Sequence, residues 1–145
     1  MMRIGEGMGL SQSGDREGAR VVFEEVWSTL GSDGDAFHRC AVAHSMADVQ
    51  DDPRDELLWD QRALEAADAV SDERAQAGGV ATVRGFYPSL HLNLGDVYLR
   101  LGEAARAREH LMAGQAAVDA LGDDGYGRMI AAGLDRLAER IDAAG

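Results

Sequence analysis

Residues 93–98 read NLGDVY, and the pattern around them is the main sequence evidence for the fold. Hydrophobic residues recur every three or four positions around this segment, the periodicity of an amphipathic helix. This stripe consists of Leu90, Leu94, Val97, Tyr98 and Leu101. Gly95 lies within the helix, and its missing side chain would let another helix approach closely. Gly102 then interrupts the helix, and a second helix carries Ala107 and Leu111. The pattern predicts a tightly packed helical hairpin.

The same spacing of small and large residues occurs near the start of the chain. Four residues lie 88 positions before Gly95, Gly102, Ala107 and Leu111, and they are Gly7, Gly14, Ala19 and Phe23. Two helical-hairpin repeats of about 34 residues account for most of this offset, and we assign the remainder to an insertion over 71–88. A degenerate copy lies between them, with His44 at the glycine position and Ala63–Leu64 at the late anchor. An internal repeat favours stacked hairpins over an ordinary helical bundle.

These residues resemble the tetratricopeptide repeat (TPR), which has L-G-x-x-Y in its first helix, a glycine at the turn, and small and large anchors in its second helix. Leu111 stands where the family usually has an aromatic residue. The resemblance is strongest over 91–114, weaker over 14–27 and weakest over 36–70. It implies an all-α, TPR-like superhelix of about three helical hairpins with a C-terminal capping helix. We expect a single domain over 1–145.

Helical periodicity and turn residues set the expected boundaries of the helices. The helices are predicted at about 15–30, 35–50, 54–70, 72–84, from the break at 85–88 to 101, 103–121 and 126–143. An opening helix over 2–10 contains three glycines, so we expect it to fray.

The charge of the chain excludes several kinds of partner. Its 26 acidic and 14 basic side chains give a formal net charge of −12, which repels nucleic acids and anionic membranes. All the basic residues are arginine, as expected from a high-GC bacterial genome, so no lysine can form a Schiff base. Neither a signal peptide nor a membrane span is recognisable, so we expect a cytoplasmic protein.

The resemblance implies that the first helix of each hairpin lines a concave groove for an extended peptide or a helix. Two polar stripes with three- and four-residue spacing are candidates for this surface, with a merely solvated face as the alternative. They are His38, Ala41, Ser45, Asp48 and Asp52 in the second hairpin, and Ser89, Asn93, Asp96 and Arg100 in the third. Asn93 matches a family position that often bonds a peptide backbone. Because Asp48, Asp52 and Asp96 outnumber Arg100, the expected partner is neutral or basic.

Catalytic and metal-binding residues are sparse. His44 and Asp48 have the i, i+4 spacing of two metal ligands, with His38 and His91 as further candidates, but no tight ligand motif is present. Because His44 lies on an apolar stripe, a core histidine is the favoured interpretation. Cys40 shares an apolar stripe, where a thiol is usually inert, and a single cysteine permits no intrachain disulfide. We therefore expect no enzyme activity, cofactor or metal.

Two functions remain after these exclusions. The first is a module that binds a protein or peptide, and the alternative is a peptide- or small-ligand-sensing domain related to bacterial TPR-containing transcriptional regulators. We also expect homodimerisation, because Val21, Val22 and Trp27 flank the weak first helix and could pack against a second copy.

Overall fold

The computed structural model describes residues 2–78 and 83–144. The contacts divide the chain into two compact units, Met1–Val70 and Ser71–Gly145. We describe each unit by itself, and the expectation of a single domain stays a prediction.

Helices form all the regular structure in the described ranges, so the predicted all-α fold of helical hairpins is confirmed. The first unit contains α1 (Met2–Gln12), α2 (Arg16–Leu30), α3 (Ala36–Asp48) and α4 (Pro53–Asp68). The second contains α5 (Asp72–Ala77), α6 (Tyr87–Arg100), α7 (Ala104–Ala117) and α8 (Gly125–Ala144). The predicted helices over 15–30, 35–50, 54–70 and 126–143 end within about two residues of these bounds, the usual uncertainty of helix ends.

The segment between 72 and 88 differs from the prediction. Helix α5 ends at Ala77 instead of continuing to 84, and Gly78 follows it as the C-cap. Glycine costs about 1 kcal/mol more than alanine within a helix, which explains the early end. The predicted stretch over 79–82 lies outside the described residues. A 3₁₀ turn over Val83–Phe86 leads into α6, where Pro88 occupies the first turn.

The first unit is built from two hairpins, α1–α2 and α3–α4. Its core is formed by Ile4, Ala19, Phe23, Val42, Met46 and Val49. Helices α3 and α4 pack against each other, and four of their alanines, Ala43, Ala47, Ala63 and Ala67, are buried. These small side chains allow close packing in the hairpin where His44 replaces the expected glycine. His44 itself is half-buried, outside that set of alanines.

In the second unit, α6 packs against both α7 and α8. A Cβ atom at Gly95 would lie 3.3 Å from the backbone oxygen of Ala107 on α7 and 2.6 Å from Cδ2 of Leu137 on α8. The close helix approach predicted at Gly95 is therefore present, and it involves the capping helix as well as the hairpin partner.

The four repeated residues occupy matching environments in the two units. The turn glycines Gly14 and Gly102 both have positive φ, at 92° and 82°, where other residues are strained. Ala19 and Ala107 are both fully buried, and the large anchors that follow them, Phe23 and Leu111, are buried as well. Gly7 also marks a close approach, with its virtual Cβ 2.5 Å from the ring of Phe23.

Two arginines of α2 join the hairpins of the first unit. Arg16 donates to the backbone oxygens of Asp48 and Gln50 at 3.1 and 3.0 Å, and Arg20 donates to that of Val49 at 2.7 Å. Both also pair with the carboxylate of Asp51 at 3.2 Å. These carbonyls follow the end of α3, where positive charge also complements the helix dipole.

The glycines of α1 offer a matched test of the close approach. Gly7→Ala should destabilise the first unit by about 1–3 kcal/mol, because the added methyl overlaps a buried ring. Gly9→Ala should instead stabilise it by up to about 1 kcal/mol, because open space surrounds Gly9 and alanine favours helix. Both tryptophans of the chain, Trp27 and Trp59, lie in this unit, so urea unfolding followed by their fluorescence measures the change. Equal effects of the two substitutions would contradict the packing.

Removing the Arg20 side chain should weaken the first unit. We expect Arg20→Gln to lower the free energy of unfolding by about 1–3 kcal/mol, because it removes a charged donor from the end of α3. Arg54→Gln is the matched control, since in the described ranges that guanidinium makes no ion pair or side-chain hydrogen bond. The same tryptophan-detected unfolding measures both variants. A loss in the control as large as that in Arg20→Gln would contradict the assignment.

Candidate functional site

The predicted polar stripe occupies one face of α6, as its three- and four-residue spacing requires. We call Ser89, Asn93, Asp96 and Arg100 the α6 polar face. Ser89, Asn93 and Asp96 are half-buried and Arg100 is exposed. The Ser89 hydroxyl donates to the backbone oxygen of Phe86 at 3.2 Å, which holds it against the start of the helix.

Asp96 has two arginine partners. Its carboxylate lies 3.0 Å from the guanidinium of Arg100 on the same helix and 2.7 Å from that of Arg140 on α8. The three groups together carry a formal charge of +1, so this end of the α6 polar face is not acidic. Counting charges along the α6 stripe alone missed Arg140, because this residue follows Asp96 by 44 positions and lies on another helix.

The α3 residues form a second candidate surface, the α3 polar face of His38, Ser45 and Asp48. His38 pairs with Asp35 at 3.3 Å, and Ser45 is half-buried. Asp48 is exposed as a residue, yet desolvation of its carboxyl group raises its pKa, while the charges of His44 and Arg16 lower it. This face belongs to the first unit, and the α6 polar face belongs to the second.

Asp52 does not continue the stripe as expected. Helix α3 ends at Asp48, and the Asp52 carboxylate accepts a 2.9 Å hydrogen bond from the backbone N–H of Arg54. Asp52 is therefore the N-cap of α4, a role for which aspartate is well suited.

An unpredicted row of four stacked rings joins α6 to α7. The ring centroids of Tyr87 and His91 are 6.0 Å apart, those of His91 and His110 are 5.2 Å apart, and those of His110 and Tyr98 are 5.4 Å apart. The Nδ1 atoms of the two histidines are 2.9 Å apart. One nitrogen must donate and the other accept, so this contact requires at least one histidine to be neutral.

The histidines and the cysteine were the candidates for chemistry. Within residues 2–78 and 83–144, no group of three histidine, cysteine, aspartate or glutamate side chains could hold a metal ion. His91 instead contacts His110 inside its own hairpin. Burial raises the pKa of Cys40 to about 12, which keeps the thiol protonated and poorly nucleophilic at neutral pH.

Sequence reasoning missed a cluster of tryptophan and arginine in the first unit. Trp27 of α2 and Trp59 of α4 meet edge to face, with ring centroids 5.1 Å apart. The guanidinium of Arg39 lies 4.2 Å from the centre of the Trp27 ring, and that of Arg62 lies 4.5 Å from the centre of the Trp59 ring. The three-residue spacing of Trp59 and Arg62 was a usable signal for their shared helix face. Nothing in the sequence placed the other two beside them.

A buried carboxylate was also missed. Asp60 of α4 is only 1% exposed, although the helical pattern gave no reason to place an acidic residue there.

Among the residues proposed for dimerisation, Val22 is buried and Trp27 packs against Trp59, so only Val21 remains largely exposed. Homodimerisation stays a prediction with a smaller apolar surface to support it.

Comparison with known proteins agrees with this fold. A family model of the tetratricopeptide repeat matches residues 88–111, which include the α6 polar face and its hairpin partner as far as Leu111. No curated protein and no solved structure matched the chain. The chain is thus similar to tetratricopeptide-repeat proteins, and repeats of this kind are in general protein-interaction modules and typically non-enzymatic scaffolds. Through the described ranges, each helix is too short or too polar to cross a lipid bilayer.

The stacked rings predict a dependence of stability on pH. Desolvation lowers the pKa of His110 below its usual 6.5, with Arg106 lowering it further and Glu109 opposing both. The unfolded chain therefore takes up a proton more readily than the folded chain. Stability from this group is complete above about pH 6.5 and declines as the pH falls toward the lower folded-state pKa. His110→Gln should make the stability less dependent on pH over that interval.

NMR titration of the ring C–H protons measures the His110 pKa directly, and denaturant unfolding at several pH values measures the linked stability. His38→Gln is a suitable control, because it also replaces a histidine but His38 lies in the first unit, outside the ring stack. A His110 pKa at or above the usual value, or an unchanged pH profile in His110→Gln, would contradict the prediction.

Proposed function

We propose that this chain is a protein-interaction module that binds a protein or peptide segment through the α6 polar face, with the α3 polar face as a second contact surface. The observation that supports the proposal is the difference in burial between two sets of residues on α6. Leu90, Leu94 and Val97 are buried in the second unit, whereas Asn93 is half-buried and Arg100 is exposed. This helix is also the first helix of the repeat that the family model matches.

The α6 polar face offers groups suited to a peptide backbone. Asn93 carries both an amide donor and an amide acceptor, the two kinds of group that a peptide backbone also has. Asp96 is held between Arg100 and Arg140, which restrains its side chain before any partner binds. Such restraint lowers the entropy lost on association.

The charge of the proposed partner follows from the first unit and from the whole chain. Asp48 is exposed, and the net charge of −12 gives the protein a field that attracts cations. A neutral or basic segment therefore fits the α3 polar face. Near Asp96 the two arginines remove this preference, so we place the contribution of charge at Asp48.

A non-catalytic role, a cytoplasmic location and a bacterial origin belong to the same proposal. No observation favours the alternative of a ligand-sensing regulatory domain, so we do not develop it.

Binding of partners from the native host should depend on Asn93. We expect Asn93→Ala to weaken capture of a specific partner by about tenfold or more, because a backbone-bonding amide is lost from the interface centre. Gln115→Ala is the matched control, since it removes an exposed amide from α7. Quantitative affinity capture measures the effect, and circular dichroism checks that both variants remain folded.

A separate substitution tests the contribution of charge to binding. Asp48→Asn should weaken binding of an identified basic partner by several-fold at low salt, and the difference should shrink as salt is added. Undiminished capture by Asn93→Ala would refute the use of the α6 polar face. Unchanged affinity in Asp48→Asn would refute only the charge preference.

A further inference from the structure

The tryptophan–arginine cluster borders a cleft within the first unit. The cleft has a volume of about 280 Å³, and its walls include Trp27, Arg39, Arg62 and Glu65. Ala66 of α4 and Ala69, the C-cap of that helix, form a small apolar part of the same wall. The volume lies just below the range of about 300–1,000 Å³ that is usual for small-molecule pockets. The cleft is therefore large enough for one side chain of a peptide but not for a large cofactor.

The two arginines of this cleft differ from most others in the chain. Across the described ranges many arginines lie within 4.0 Å of a carboxylate, but Arg39 and Arg62 do not. Arg39 donates to the backbone oxygen of Gly31, and Arg62 lies over both indole rings, 4.5 Å from Trp59 and 5.7 Å from Trp27. The positive charge of both groups is thus met by aromatic faces and not by an acidic side chain.

This arrangement leaves hydrogen-bond donors available. A guanidinium that stacks on a ring uses its face, while its N–H groups point outward in the guanidinium plane. A carboxylate has two oxygens in one plane, so it can accept two parallel hydrogen bonds from these N–H groups. The rings also fix the two side chains, so little rotamer entropy remains to be lost when an anion binds.

We propose that this cleft binds a side-chain carboxylate of an acidic peptide segment, with an apolar neighbour of that residue against Trp27 and Ala66. Glu65 is the third charged group of the cleft, and with the two arginines it gives a formal charge of +1. A single carboxylate neutralises this charge. The proposal is independent of the α6 polar face, because all the residues that carry it lie in the first unit.

Tryptophan fluorescence can test the cleft specifically, because the chain has two tryptophans and both belong to the tryptophan–arginine cluster. The probe is the peptide acetyl-Ala-Leu-Glu-Leu-Ala-amide, and its control is the same peptide with glutamine in place of glutamate. We expect a saturable fluorescence change with the glutamate peptide and at least about tenfold weaker binding of the glutamine peptide, because only the former offers a carboxylate. Ionic strength is held constant with sodium chloride.

Four variants assign the effect to residues. Arg39→Gln and Arg62→Gln should each weaken binding of the glutamate peptide by about tenfold, whereas Arg54→Gln should leave it unchanged. Glu65→Gln should strengthen binding by several-fold, because it removes the opposing charge and leaves both arginines in place. This last variant keeps the test informative if loss of a stacked arginine also destabilises the unit.

Three results would overturn the proposal. The first is an identical titration curve for the glutamate peptide and the glutamine peptide. The second is weaker binding by Glu65→Gln, or a loss in Arg54→Gln as large as that in the cleft variants. The third is a saturable response to inorganic phosphate without one to the glutamate peptide, which would assign the cleft to a different anion.

Discussion

The second unit depends on how closely α6 can approach its neighbours at Gly95. A side chain at this position would collide with Leu137 of α8 and crowd the backbone of Ala107 on α7. Because glycine removes that obstacle, one side of α6 is packed against two helices at once. The same helix carries Asn93 and Asp96 on a backbone whose position is fixed by the packing. Recognition by a rigid helix face loses less entropy on binding than recognition by a loop.

The sequence was sufficient for the features that depend on local spacing. Helical periodicity located the main helices, and the offset of four residues identified Gly14 and Gly102 as equivalent turn glycines, both of which have positive φ. These features could be predicted because each depends on residues within one or two turns of a helix. The early end of α5 was missed because the apolar pattern continues past Gly78, and the low helix propensity of glycine outweighs it there.

Contacts between distant helices could not be predicted in the same way. Asp96 was correctly placed on a polar stripe, but its pairing with Arg140 depends on how α8 packs beside α6. This pairing changes the local formal charge from zero to +1, so the expected preference for a basic partner loses its support at α6. Likewise, spacing alone gave Arg16 and Arg20 no special role, although both donate to carbonyls at the end of α3.

The pairing of arginine also bears on how binding surfaces can be recognised in an acidic chain. With 26 acidic residues for 14 arginines, carboxylates are abundant, and arginines such as Arg100 and Arg140 do pair with one. The lack of such a pair at Arg39 and Arg62 therefore does not arise from a shortage of acidic side chains. Their guanidinium groups lie over the rings of Trp27 and Trp59, which hold a positive charge without neutralising it. In a chain whose overall field repels anions, such local positive charge is what short-range recognition of an acidic segment requires.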